Sequence, residues 1–251
     1  MIRDDEKITE INDGLTLIEK RDGLTFGTDA YLLSAYVRRQ PKALAADLGS
    51  GTGVIPLLML SHDKAGVIDA FEVQEEFAKL IGRNAGNNGF SERLRPVCAD
   101  IREIGAEFNG KYDLVTSNPP YMRIAGKRND SDMKYIARHE TKGGIGDFCA
   151  AAARLLKHGG LFYVVWRPDR LAVLMSALEA ARLEPKRMTF VHSRLGLPPC
   201  LVLCEAKKYA AEGMYLTPPL IMYNDAEGCV YTDELKEIYA TGEFAARYMR
   251  A

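Results

Sequence analysis

The 251-residue chain has no hydrophobic stretch able to cross a membrane: its longest apolar run, Val54 to Leu60, falls far short of the ~20 residues a spanning helix needs. Cysteine is sparse, and the number of cysteines is odd. The start, Met1-Ile2-Arg3-Asp4-Asp5-Glu6, is acidic and lacks the apolar core of a secretory signal. A disulfide framework is therefore not expected, and the composition reads as a soluble cytoplasmic globule. Cys200 and Cys204 are spaced like a metal pair, but Leu201-Val202-Leu203 between them reads as strand. On a strand their Cα atoms lie ~13 Å apart, too far for one ion, so both are expected as small buried apolar residues. His62, His139, His158 and His192 have no ligand spacing either, and no metal is expected. Internal repeats, low-complexity tracts and Pro/Gly/Ser linkers are also missing.

What is present is enough apolar residue, 47%, to build a large core and exclude intrinsic disorder. The formal charge of −1 hides an uneven distribution. Both ends are acidic, whereas residues 123–142 carry six bases against three acids and residues 154–195 eight against three. A basic middle suits a polyanionic partner, although solvated faces fluctuate in the same way.

Strand-length apolar runs alternate with helical patterns. Ala43–Leu48 leads through a glycine-rich turn to a helix from Val54 to about Ser61. Val67–Val73 precedes a helix over Glu75–Asn87. Leu94–Cys98 and Tyr112–Ser117 are two more strands, and a helix over Asp147–Lys157 is expected to stop at Gly159-Gly160 before Leu161–Trp166. A further helix spans Asp169–Ala181, with Pro168 in its first turn. Continuous apolar strands alternating with helices indicate a doubly wound α/β domain whose parallel sheet is covered on both faces. Arg187–Val191 and Cys200–Cys204 have only a short loop between them and should be antiparallel. Before the first strand, Thr28–Arg39 reads as a helix capped by Thr28 or Asp29, and a short helix is expected near Asp233–Tyr239. The expected organisation is an N-terminal segment, 1–42, a domain over 43–206, and a tail, 207–251.

Asp47-Leu48-Gly49-Ser50-Gly51-Thr52-Gly53 joins a buried strand to a helix. Glycines there permit a tight turn and close approach of a ligand to the backbone. The spacing is G-x-G-x-G, with Val54 where a dinucleotide fold would have its third glycine. Asp47 would repel a pyrophosphate but suits a cation such as a sulfonium or an ammonium. Glu72 closes the second strand, where a carboxylate accepts from ribose hydroxyls. Asp100, after the third, either accepts from an adenine amino group or caps the next turn. Carboxylates at successive strand ends describe a nucleoside site without phosphates. These residues resemble the class I S-adenosylmethionine-dependent methyltransferases. The resemblance covers residues 43–206 and implies a Rossmann-like, seven-stranded, mostly parallel sheet ending in an antiparallel hairpin. It implies S-adenosyl-L-methionine as cofactor, bound by Asp47, Gly49, Gly51, Gly53, Glu72, Val73, Asp100 and Ile101.

The fourth strand ends in Asn118-Pro119-Pro120-Tyr121. The Asn118 side-chain oxygen and the Pro119 carbonyl can both accept from one NH₂ group, which favours rehybridisation of a planar nitrogen. The prolines fix the backbone so that these acceptors need little reorganisation, and Tyr121 can stack on a flipped base. The motif resembles that of amino methyltransferases acting on adenine N6, guanine N2 or glutamine N5, and gives Asn118, Pro119, Pro120 and Tyr121 as catalytic residues. Leu24-Thr25-Phe26-Gly27-Thr28-Asp29-Ala30 resembles the segment that lies over the cofactor in the adenine-N6 group. That resemblance adds Phe26, Thr28 and Asp29 to the cofactor-binding set, in which Asn118 is also expected. In length and motif order, including Pro198-Pro199-Cys200-Leu201-Val202-Leu203, the chain is similar to the tRNA1(Val) (adenine-N6)-methyltransferase family.

The resemblance implies methylation of an adenine in tRNA, in the anticodon region of valine tRNA. Arg123, Lys127, Arg128, Lys134 and Arg138, just after the catalytic turn, are the expected RNA contacts. A protein-glutamine methyltransferase shares the tetrapeptide but usually carries a separate N-terminal recognition domain, for which about 42 residues before the first strand leave little room. A non-catalytic RNA-binding protein of the same fold is the remaining alternative, and a monomer without membrane attachment is expected.

Overall fold

The computed structural model describes residues 2–11, 14–21, 26–120, 143–224 and 230–249. In chain order these form β1 (Glu6–Glu10), β2 (Thr16–Lys20), α1 (Thr28–Tyr36), β3 (Leu44–Leu48), α2 (Val54–Ser61), β4 (Val67–Glu72), α3 (Glu75–Asn87), β5 (Leu94–Cys98) and β6 (Tyr112–Ser117). They continue with α4 (Ile145–Leu155), β7 (Leu156–Trp166), α5 (Leu171–Ala180), β8 (Leu183–His192), β9 (Pro199–Lys208), β10 (Tyr215–Leu216), β11 (Leu220–Ile221) and α6 (Asp233–Thr241).

The long strands are ordered β8-β9-β7-β6-β3-β4-β5. Neighbours from β7 to β5 are parallel, and β9 runs antiparallel to both β7 and β8. The expected arrangement gains two residues-long additions, β10 and β11, each parallel to β8, which bring the sheet to nine strands. One apolar cluster fills the face covered by α1, α2, α3 and α6, with Leu33, Leu57, Ile81 and Ile238 among its members. A second, including Phe148, Cys149, Leu174 and Leu178, packs α4 and α5 on the opposite face. Burial on both faces is why the strands read as continuous apolar runs.

Several boundaries differ from expectation for identifiable reasons. Gly159-Gly160 lies inside β7 rather than after a helix: Leu156 pairs with Tyr112 and pairing resumes at Leu161 with Leu114, so the glycines sit in a bulge, Gly159 at φ +74°. Helix α1 stops at Tyr36, where Arg38 turns away to bind Glu205, and its N-cap is Gly27, not Thr28 or Asp29. The segment over 168–170 is a 3₁₀ turn that leads into α5. Cys204 is buried as expected, but Cys200 is exposed at the start of β9.

The ends of the chain are more ordered than their sequence suggests. The β1–β2 hairpin leans on α3 through two asparagines one helical turn apart. Asn84 accepts from the Ile18 amide at 2.7 Å and donates to its carbonyl at 3.2 Å, and Asn88 does the same for Thr16 at 2.9 and 2.7 Å. Each carboxamide thus mimics a neighbouring strand. The Arg83 guanidinium grips the buried Glu6 with both arms, at 2.7 and 2.8 Å, and holds its carboxyl down to about 2. At the other end, Leu235, Ile238, Phe244 and Tyr248 are buried in the first cluster. Beneath them Arg187, fully buried, donates to Glu205 at 2.8 Å, to the Tyr36 carbonyl at 2.6 Å and to the Tyr248 carbonyl at 3.1 Å, and stacks on the Tyr36 ring. Arg38 also binds Glu205 and reaches the Met249 carbonyl at 3.0 Å. The tail is therefore latched to the sheet by polar bonds inside an apolar core.

Candidate active site

Parallel registration brings the singled-out residues to one edge. Leu48 pairs with both Phe71 and Ser117, so Gly49, Glu72 and Asn118 emerge side by side at the carboxyl ends of β3, β4 and β6. Ligands of open α/β sheets bind at such an edge.

The glycine turn is held from below and from the side. Gly49, Gly51 and Gly53 have φ of +72°, +56° and +87°, a region L residues rarely adopt. A side chain on Gly49 would meet the Phe148 ring at 3.2 Å, whereas one on Gly51 would meet open space. The amides of Gly49 and Ser50 both donate to the Phe71 carbonyl, Gly53 donates to Ser50, and Gly51 donates to Glu72 at 3.0 Å. These amides are satisfied by acceptors within the protein, two carbonyls and the Glu72 carboxylate, unlike those of a phosphate-cradling nest.

Asp47 is almost fully buried, accepting from the hydroxyls of Ser50 and of Thr116, the latter at 2.6 Å. Burial pushes its carboxyl up to about 6 against the pull of those hydrogen bonds. It therefore supports the turn from inside and supplies negative charge beneath it. Glu72 is also buried; besides Gly51 it accepts from the Gln74 amide at 2.9 Å. Asp100 caps the turn after β5. It accepts from the Arg102 amide at 2.9 Å and is clasped by that residue's guanidinium, which holds its carboxyl below the usual range. Val73 is partly exposed beside Glu72, and Ile101 is buried in the second cluster.

Asn118 and Pro120 are half-buried and Pro119 is buried. The Asn118 amide nitrogen donates to the Asp29 carboxylate at 2.9 Å. Helix α1 thus delivers Asp29 to the end of β6. Tyr121 and the expected RNA contacts Arg123, Lys127, Arg128, Lys134 and Arg138 lie outside the described residues.

Phe26 and Thr28 border a cleft of about 680 Å³ whose other wall is Tyr31, Tyr231 and Tyr239. The Tyr31 and Tyr239 rings meet edge to face at 4.9 Å, and Tyr231 lies 5.5 Å from Tyr239. Nothing in the linear sequence assigns these tail tyrosines to a site. Their only linear signal is aromatic residues in a loosely patterned segment, and the fold is needed to bring them to Phe26. The supports Ser50, Thr116 and Asn84, which also donates to the Thr52 carbonyl of the turn at 2.9 Å, were equally silent.

A family model described as methyltransferase small domain matches residues 21–181. The chain belongs to that family. As one of these methyltransferases it is similar to the tRNA1(Val) (adenine(37)-N6)-methyltransferase of Bacteroides fragilis, 30% identical over 73% of this chain and 77% of the relative. The enzyme of the same description from an Enterobacter species is 32% identical over 58% of this chain and 65% of its own length. Among solved structures, a predicted O-methyltransferase from Agrobacterium tumefaciens superposes with a TM-score of 0.69 at 23% identity, covering 87% of this chain and 98% of that one. The M. jannaschii TYW2 structure in complex with AdoMet superposes at 0.57 with 13% identity, covering 82% and 87%. The methyltransferase fold thus accounts for the sheet order and for the reversed strand β9. Among the described residues no helix is long and apolar enough to cross a membrane, and no group of three or more His, Cys, Asp or Glu forms a metal cluster.

Proposed function

We propose that this methyltransferase transfers a methyl group from S-adenosyl-L-methionine to the exocyclic N6 amine of an adenine in tRNA, the anticodon-region adenine of valine tRNA. The observation that carries the reading is Asn118, held by Asp29 at the end of β6 directly beside the glycine turn.

The residues fit the cofactor. Open space over Gly51 admits a ligand to the backbone, Glu72 beside it offers carboxylate oxygens suited to ribose hydroxyls, and Asp47 beneath provides charge opposite to a sulfonium. S-adenosylmethionine supplies an electrophilic methyl on a positively charged sulfur. The chain's contribution is to prepare the nitrogen. An amine whose two N–H bonds point at the Asn118 side-chain oxygen and the Pro119 carbonyl is drawn from planar toward tetrahedral geometry, which localises its lone pair. Proline rigidity keeps both acceptors in place. Once the methyl is attached the nitrogen carries two carbons, two hydrogens and a positive charge, and it loses one proton readily, so water suffices as base.

The aromatic cleft beside Phe26 and Thr28 supports a nucleic acid over a folded protein as substrate, because Tyr231, exposed at its edge, can stack a base. The names of the Bacteroides and Enterobacter relatives support tRNA in particular. A tRNA substrate also fits a cytoplasmic enzyme. The test is transfer of labelled methyl to tRNA lacking the modification and, separately, to a peptide-release factor, followed by nucleoside analysis. N6-methyladenosine in valine tRNA is the expected product; label only in a release-factor glutamine would overturn the assignment.

A further inference from the structure

We infer that Asp29 is a positioning residue that fixes which end of the Asn118 carboxamide faces the substrate, with Gly27 keeping its carboxylate in place. The inference rests on the reading of Asn118 as acceptor for an NH₂ group. A carboxamide has two nearly isosteric ends, one accepting and one donating. Only the accepting end serves an incoming amine; the donating end would oppose N–H with N–H. An ionised carboxylate accepts and cannot donate, so the 2.9 Å contact between Asp29 Oδ2 and Asn118 Nδ2 selects one orientation. The Asn118 oxygen is then turned away from Asp29.

Asp29 is itself fixed. It is the second residue of α1, and its other oxygen, Oδ1, accepts from the Ala30 amide at 2.9 Å. Both oxygens thus have assigned tasks, one to the helix start and one to Asn118. Gly27 has φ −112°, a conformation open to any residue, so backbone freedom does not explain its glycine. Space does: a Cβ at position 27 would stand 2.9 Å from Asp29 Oδ1, closer than a Cβ tolerates, and would displace the carboxylate. The sequence Phe26-Gly27-Thr28-Asp29 therefore encodes a small orienting device at the entrance of α1.

The experiment is a double-mutant cycle on the full-length protein, read as kcat and KM for tRNA and as Kd for S-adenosylmethionine. Asp29→Ala is expected to lower kcat about 10- to 100-fold, the worth of one charge-assisted hydrogen bond, with cofactor Kd changed less than about 3-fold. In an Asn118→Ala background the same substitution should have no further effect on kcat, because there is no amide left to orient. Gly27→Ala, which retains every polar group, should reproduce part of the kcat loss. Thermal melting of each variant controls for folding. Independent, multiplicative losses in the double variant, or a loss confined to cofactor affinity, would overturn the inference and make Asp29 a structural or cofactor-binding residue. Should the wild-type enzyme label a protein glutamine instead of tRNA, the tRNA reading fails while the cycle is run on that amide, which presents the same NH₂ group.

Discussion

Asp47→Asn isolates the energetic consequence of burying a carboxylate under the glycine turn. The substitution keeps size and shape, and the Ser50 and Thr116 hydroxyls can donate to its oxygen or accept from its nitrogen. What it removes is the titration. In the folded protein the Asp47 carboxyl is raised to about 6 from an ordinary 3.8, so the folded state holds this proton more tightly than the unfolded chain does. The stabilisation linked to that proton is fully present below pH 3.8 and is lost as pH rises through about 6. The gap corresponds to about 3 kcal/mol at roughly 1.4 kcal/mol per pH unit. Urea unfolding of both proteins from about pH 4 to about pH 8 reads it directly. Relative to Asp47→Asn, the wild type should lose up to about 3 kcal/mol across that range, other titrations cancelling in the difference. A bound sulfonium favours the ionised carboxylate, so wild-type cofactor affinity should also rise with pH through the same interval and that of the variant should not. Parallel stability curves for the two proteins would refute the reasoning.

Glu205→Gln removes the only carboxylate on the buried Arg187 guanidinium among the described residues and should cost about 3–5 kcal/mol in urea unfolding. Replacing Arg187 and Glu205 together by Met and Leu should recover much of that loss. Asn84→Ala strands the Ile18 amide and carbonyl and the Thr52 carbonyl, and should lower stability by about 2 kcal/mol or more, with faster amide exchange in β2 and the glycine turn. Glu72→Ala should weaken S-adenosylmethionine binding by about tenfold or more in calorimetry, since a hydrogen-bonded carboxylate is worth that much, while tRNA affinity stays the same.

The sheet was legible because both its faces are buried: β5, β6, α2 and α3 end where their apolar patterns end. Departures occur where tertiary contacts override local signals. Gly159-Gly160 has the look of a helix stop, yet pairing with β6 pulls it into a strand. The β1–β2 hairpin was invisible because it is stabilised by Asn84, Asn88 and Arg83, nearly 70 residues or more away from the strands they hold. For the site, Asp47, Glu72 and the Asn118 turn were legible as polar residues at the ends of apolar strands, a placement with chemical meaning. Their supports were not: Ser50, Thr116 and Asn84 are ordinary residue types whose value lies in a distance, and the tail tyrosines meet Phe26 only through the packing of α6 against α1.

The most direct measurement of the central claim compares cofactor affinity with single-turnover methyl transfer in Asn118→Ala. If this amide acts on the incoming nitrogen, Kd for S-adenosylmethionine should stay within about 3-fold of wild type while transfer slows by at least about 100-fold, the range for removal of a preorganised group at a reacting centre. Transfer at the wild-type rate, or a loss of cofactor binding large enough to explain the slowing, would contradict it.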